Sequence, residues 1–101
     1  MKITRINEFR AKEGQLDALL RQLKISVPQI QASAGCLSCR ALQHEDEPHR
    51  LVIIEEWINE EAHVAAVKSI PLAVLKETMT LVTEPPYGEN YRDLDFGAVK
   101  R

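Results

Sequence analysis

The chain has 101 residues, 45% of them hydrophobic and 28% charged, and a net charge of −2. That length and composition fit one folded domain, and exclude a disordered chain or a basic surface for nucleic acid or an anionic membrane. No apolar run approaches the roughly 20 residues of a membrane helix, and the charged N-terminal residues lack the apolar centre of a signal peptide, so a cytoplasmic protein with neither nucleic-acid nor membrane partners is expected.

Residues 3–9 alternate Ile3, Arg5, Asn7 and Phe9 against Thr4, Ile6 and Glu8, a strand with two different faces. After the break at Lys12-Glu13-Gly14-Gln15, Leu16, Leu19, Leu20, Leu23 and Val27 recur at helical intervals. Pro28 either kinks this helix or opens a fresh turn carrying Ile30 and Ala34, and Gly35 is expected to end it in a left-handed conformation. A second strand over Cys36–Gln43 joins a third, Arg50–Trp57, through the polar connection His44-Glu45-Asp46-Glu47-Pro48-His49. This loop holds two histidines and three acids, but consecutive turn residues rarely converge on one ion, so a solvated turn and no metal site is the reading.

The third strand ends in the only tryptophan, Trp57, where the pattern changes to helical. Asn59 can cap the next helix, and Glu60 and Glu61 complement its positive end. Pro71 opens another helix with an apolar stripe of Leu72, Leu75, Met79 and Val82, stopped by Glu84-Pro85-Pro86. Tyr87, Tyr91 and Leu94 fall in a final short edge strand, giving one domain over residues 1–94 and a tail over 95–101.

Cys36 and Cys39 form a Cys-x-x-Cys spacing. In a strand, residues three apart point to opposite faces, so the two sulfurs are expected not to meet, and no second cysteine pair completes a zinc site. The expectation is two reduced thiols.

The order strand, helix, strand, strand, helix pair, strand is the split β-α-β arrangement of an α+β ferredoxin-like sandwich with an antiparallel sheet. In the third strand Leu51, Ile53, Glu55 and Trp57 share one face and Val52, Ile54 and Glu56 the other. Helices cover only one face, so apolar residues on both predict a second subunit packed sheet to sheet, a homodimer.

With that order in place, the chain resembles the antibiotic biosynthesis monooxygenase superfamily of dimeric α+β barrels over residues 3–94. The resemblance rests on Glu8-Phe9-Arg10-Ala11-Lys12-Glu13-Gly14, on Gly35-Cys36, and above all on Glu56-Trp57-Ile58-Asn59-Glu60-Glu61-Ala62-His63, similar to the family's Glu-Trp-x-Ser/Asn-x-Glu-Ala. It implies cofactor-independent oxygenation of a small quinol-like or polyphenolic molecule by dioxygen, with Trp57 lining the pocket. Such chemistry needs an apolar cavity of roughly 300 Å³ or more, a proton acceptor and groups that steady an anion. Many members carry two further histidines, where this chain has Ala66 and Pro71. A haem-degrading role would want an axial histidine and a first-strand asparagine at positions occupied by Ala66 and Phe9.

His63, three residues from Ala66 on the same helix, is the candidate shifted base, against the alternative of an ordinary helix histidine. Ile53 and Glu55 share the Trp57 face. Desolvation beside the indole tunes the Glu55 carboxylate upward and makes it the second candidate catalytic proton acceptor, against the alternative of a structural pair with Arg5 or Arg40. Asn7, Tyr87 and Tyr91 are candidate hydrogen-bond partners for a phenolic ligand, against the alternative that each finishes the sheet or the dimer interface, and Trp57 has its own alternative as a core aromatic. Two other functions remain open: a non-catalytic dimeric binding module, which predicts a closed site with its polar groups paired, and an isomerase of a small phosphorylated metabolite, which needs cations such as Arg5, Arg40 or Lys68.

Overall fold

The computed structural model describes residues 1–97, so the last four residues of the expected tail lie outside the described residues. The elements run β1 (Ile3–Arg10), α1 (Leu16–Gln31), β2 (Cys36–Gln43), β3 (Arg50–Trp57), α2 (Glu60–Lys68), α3 (Leu72–Leu81) and β4 (Tyr87–Tyr91). The four strands make one sheet in the order β2-β3-β1-β4, every pair antiparallel. This is the expected ferredoxin-like α+β topology, in which β3 slots between β1 and β2.

The core follows the period of β3. Leu51 and Ile53 meet Leu19 and Leu23 of α1, with Leu81, Val82, Ala11 and Cys39 closing the cluster. The alternation in β3 is complete: Leu51, Ile53, Glu55 and Trp57 are buried, while Val52, Ile54 and Glu56 are partly exposed. α1 runs unbroken through Pro28 and ends at Gln31, four residues before Gly35. Gly35 does take a left-handed φ of 83°, but its role lies at the entry to β2. A side chain there would sit 2.6 Å from Cβ of Ala62, so the glycine lets the first turn of α2 close on the sheet.

α3 joins α1 through Thr78 and Gln22. Thr78 Oγ1 lies 3.0 Å from both Val74 O and Gln22 Oε1, and its single hydrogen serves only one of them. Gln22 Nε2 is buried and has no hydrogen-bond partner among the described residues. α2 and α3 are otherwise lightly seated: α2 buries no residue and α3 only Leu81, leaving Leu72, Leu75 and Met79 exposed. Val82 leaves the helical stripe, extends, and bridges to Ala11. Among the described residues no helix is long and apolar enough to cross a membrane.

Two further expectations need correction. The cysteines share a face, because the ladder shifts register between Cys36 and Ser38: Cys36 pairs with Trp57 and Cys39 with Glu55, two residues on the same side of β3. A β-bulge adds one residue and so inverts the parity that a regular strand would impose. Both thiols are free. Burial, followed by the Glu55 charge, pushes Cys39 up to about 12 and raises Cys36 as well, which keeps them protonated and unreactive near neutral pH. The second correction concerns Leu94, which lies beyond β4 and is exposed.

Candidate functional site

The Glu55-x-Trp57 spacing places a carboxylate and an indole side by side on the helix-covered face of β3. Trp57 Nε1 donates to Glu55 Oε1 at 2.9 Å, and Asn7 Nδ2, from the neighbouring strand β1, donates to Glu55 Oε2 at 2.9 Å. Each carboxylate oxygen therefore has a neutral donor. Glu55 is only 6% exposed and Trp57 only 1%. Burial pushes the Glu55 carboxyl above its ordinary value, and the Trp57 hydrogen bond, the Arg5 charge and the Asn7 hydrogen bond hold it back.

His63 enters from α2. Asn59 caps that helix by accepting from Ala62 N at 2.8 Å, which fixes the helix start and aims the next residue at the sheet. The imidazole meets the indole edge-on, with ring centroids 5.6 Å apart at 67°. Desolvation, followed by the Arg5 charge, lowers the His63 pKa against a smaller opposing pull from Glu60. The ring is therefore neutral at pH 7 and able to accept a proton.

The structure thus brings together Asn7, Glu55, Trp57 and His63. It does not bring Tyr91 to them. Tyr91 pairs with Thr4, so it lies on the uncovered face of the sheet, as does Tyr87 opposite Glu8. Ile53 shares the face of Trp57 but is taken up by the core cluster under α1. Arg40 pairs with Ile54 and also points to the other face, so it cannot meet Glu55. Arg5 lies directly opposite Glu55, yet the two form no ion pair; Arg5 Nη1 instead donates to Asn90 Oδ1 at 3.0 Å.

Sequence reasoning missed Asn90 and Gly88 of β4. Gly88 pairs with Asn7, and a side chain at 88 would collide with Asn7 Oδ1 and sit 2.6 Å from Arg5 Nη2. A glycine in a strand interior marks such close approaches, and that was the available signal. Asn7 also gives the first strand an amide on the tryptophan face, a place where the sequence comparison had pointed to Phe9.

The expected cavity beside Trp57 is not formed by either of the two depressions described. One, of about 280 Å³, lies at the opposite end of the sheet, around Phe9, Arg10, His44, Arg50 and Leu51. The other, of about 340 Å³, runs between α1 and β2, along Leu20, Leu23, Val27 and Leu42. Neither includes Glu55, Trp57 or His63, because the His63 ring and the first turn of α2 close over the indole. At the 44–49 turn, His44 Nδ1 accepts from the backbone N–H groups of Asp46 and Glu47 at 3.1 and 3.0 Å, so this histidine shapes the loop.

The antibiotic biosynthesis monooxygenase family model matches residues 2–77. No curated protein matches the chain significantly. Among solved structures, the chain is similar to Rv0793 from Mycobacterium tuberculosis, at 22% identity and a TM-score of 0.85 over 97% of this chain and 100% of that one. It is also similar to PA3566 from Pseudomonas aeruginosa, at 24% identity and a TM-score of 0.80 over 92% and 94%. A third structure, of an antibiotic biosynthesis monooxygenase, shares 15% identity with a TM-score of 0.83 over 91% and 98%. At these identities the likeness is one of fold, while the family model spans three-quarters of the chain: the chain belongs to the antibiotic biosynthesis monooxygenase family.

Proposed function

We propose that the domain over residues 1–94 is a cofactor-independent monooxygenase of a quinol-like phenol. One observation supports the reading: a buried carboxylate, Glu55, is held at both oxygens by neutral donors and, among the described residues, forms no direct ion pair, beside an indole and a neutral imidazole. A buried carboxylate with no cation in contact is costly: the Arg5 charge across the ladder offsets only part of the burial, and the raised pKa suits a proton acceptor better than a structural pair.

In the proposed reaction Glu55 takes a phenolic proton, with neutral His63 as the second acceptor at the site. The electron-rich ring adds dioxygen at carbon and the proton returns to give a hydroperoxide. Loss of the ring hydrogen with cleavage of the O–O bond releases water and leaves a hydroxyquinone. One oxygen atom stays in the product, the other leaves as water, and the substrate supplies all four electrons. Trp57 forms the apolar wall. The lightly seated α2–α3 layer supplies access, since elements with few buried contacts open at low cost.

The bare sheet face carries Ile6, Leu42, Val52, Ile54, Tyr87 and Tyr91, which suits a second copy packed sheet to sheet. We read the working form as this homodimer, with a solution mass near twice 11.5 kDa at micromolar concentration. A monomer at that concentration would remove this part of the reading.

A specific observation favours a second function. Trp57 is 1% exposed, and Trp57 and Asn7 are both bonded to Glu55, as a binding module without turnover would have them. Titrating the Trp57 fluorescence with a panel of quinols and anthrones, followed by oxygen uptake with each binder, separates the two. Saturable quenching with protein-dependent oxygen consumption supports the oxygenase. Quenching without consumption supports the binding module.

A further inference from the structure

Arg5 is a cation that the sheet places at the site without a direct ion pair among the described residues, its charge reaching Glu55 and His63 only through space. It lies directly across from Glu55 in the β1–β3 ladder, and opposite charges so placed ordinarily pair. Here both oxygens of Glu55 are turned to Trp57 and Asn7, and among the described residues Arg5 forms no ion pair. Its guanidinium is drawn the other way, to Asn90 Oδ1 at 3.0 Å.

The place it occupies exists because residue 88 has no side chain. A Cβ on Gly88 would stand 2.6 Å from Arg5 Nη2 and 2.9 Å from Arg5 Cζ, so the flat group lies against bare backbone. The result is a guanidinium steadied by one neutral acceptor, with further N–H donors uncommitted, on the same face as a proton-accepting carboxylate. An aromatic whose hydroxyl proton is taken by Glu55 would present its new oxyanion to these donors. Charge-assisted hydrogen bonds from a guanidinium are the strongest such groups make with an oxyanion.

We infer that Arg5, seated on Gly88 and held by Asn90, is the group that binds the oxyanion of the proposed substrate and so makes the site prefer the ionised ring to the neutral one. The inference rests on the oxygenase reading for the identity of the acid, but its test reads binding and not turnover.

The probes are 4-nitrophenol, whose ionisation is visible by absorbance, and nitrobenzene, a neutral ring of similar size, both titrated by Trp57 quenching. The wild-type chain is expected to bind 4-nitrophenolate about tenfold more tightly than neutral 4-nitrophenol, which lowers the pKa of the bound phenol by about one unit, and to prefer 4-nitrophenolate to nitrobenzene by about tenfold as well. Arg5→Met should erase the preference and the pKa shift while leaving nitrobenzene affinity unchanged. Gly88→Ala keeps every charge but displaces the guanidinium, and should act in the same direction. Asn90→Ala, at the exposed edge strand, should weaken the preference if Arg5→Met fails to fold. A merely structural Arg5 would lower thermal stability without separating the two probes.

Phenolate preference surviving in folded Arg5→Met, or no preference or no binding in the wild type, overturns the assignment. Oxygen uptake with the quinol panel is scored separately. Uptake without phenolate preference sinks the Arg5 assignment alone; phenolate preference without uptake sinks the oxygenase reading alone.

Discussion

Glu55 and Glu56 are neighbours in β3 and belong to different chemical worlds. Glu55 lies under the helices, 6% exposed, with an indole and an amide as its partners and its pKa raised by burial. Glu56 lies on the bare face with its side chain 34% exposed, paired to Lys2 at 2.7 Å and accepting from Ser38 Oγ at 2.7 Å. Those hydrogen bonds, Lys2 first, hold its carboxyl below the usual range. One residue of strand period moves a carboxylate from a low-dielectric layer with neutral donors to water and a cation. The covered face holds a carboxyl whose pKa burial raises, and the open face makes an ordinary surface ion pair.

The largest test of this contrast is Trp57→Ala. It removes the most buried aromatic and one of the two donors to Glu55, and should cost about 3–5 kcal/mol in urea unfolding. Glu56→Ala, one residue away, should cost far less; equal losses would erase the distinction between the faces.

Glu55→Gln comes next. Oxygen uptake should fall by about a hundredfold or more, with no loss of stability at pH 7, because the change removes a buried charge and the Asn7 amide can turn to match. The pH dependence of stability carries the sign. Because the folded Glu55 pKa lies above 4.5, the folded chain holds that proton more tightly than the unfolded one. Its contribution is complete below 4.5 and is lost as pH rises through the folded value. Glu56 runs the other way: its lowered pKa gives stability present above 4.5 and lost as pH falls through the folded value. Glu55→Gln should therefore flatten the decline above pH 4.5, and Glu56→Gln the decline below it, in chemical unfolding followed across pH.

Asn7→Ala should cost about 1–3 kcal/mol and, by removing a donor that lowers the Glu55 pKa, move the acid limb of the activity profile to higher pH. An unmoved limb would mean that Glu55 is not the group being titrated. The smallest effect is expected for Lys2→Ala: no resolvable change in melting temperature, with the Glu56 carboxyl returning toward its ordinary value by NMR titration.

Much of the fold was legible because its signals are periodic. The alternation of β3, the helical stripe of α1 and the Asn59 cap each depend on local spacing, and the structure reproduces them. The adjacency of Glu55 and Trp57 was legible for the same reason, since two residues apart in a strand is one face. Legibility failed wherever a neighbouring strand set the answer. Tyr91 was placed with Trp57 but lies on the opposite face, because facing in β4 depends on its register against β1. The cysteines were placed on opposite faces, but one extra residue in β2 put them together.

The sequence by itself determined the order of elements, the two-faced character of β3 and the local company of the tryptophan, because strand and helix periods act within a few residues. The tertiary structure alone decided that Glu55 bonds to Asn7 and not to Arg5, that Arg5 rests on Gly88, and that His63 closes over the indole. Those outcomes depend on register, on a bulge and on the space left by a missing side chain, all of which are settled between strands distant in the chain.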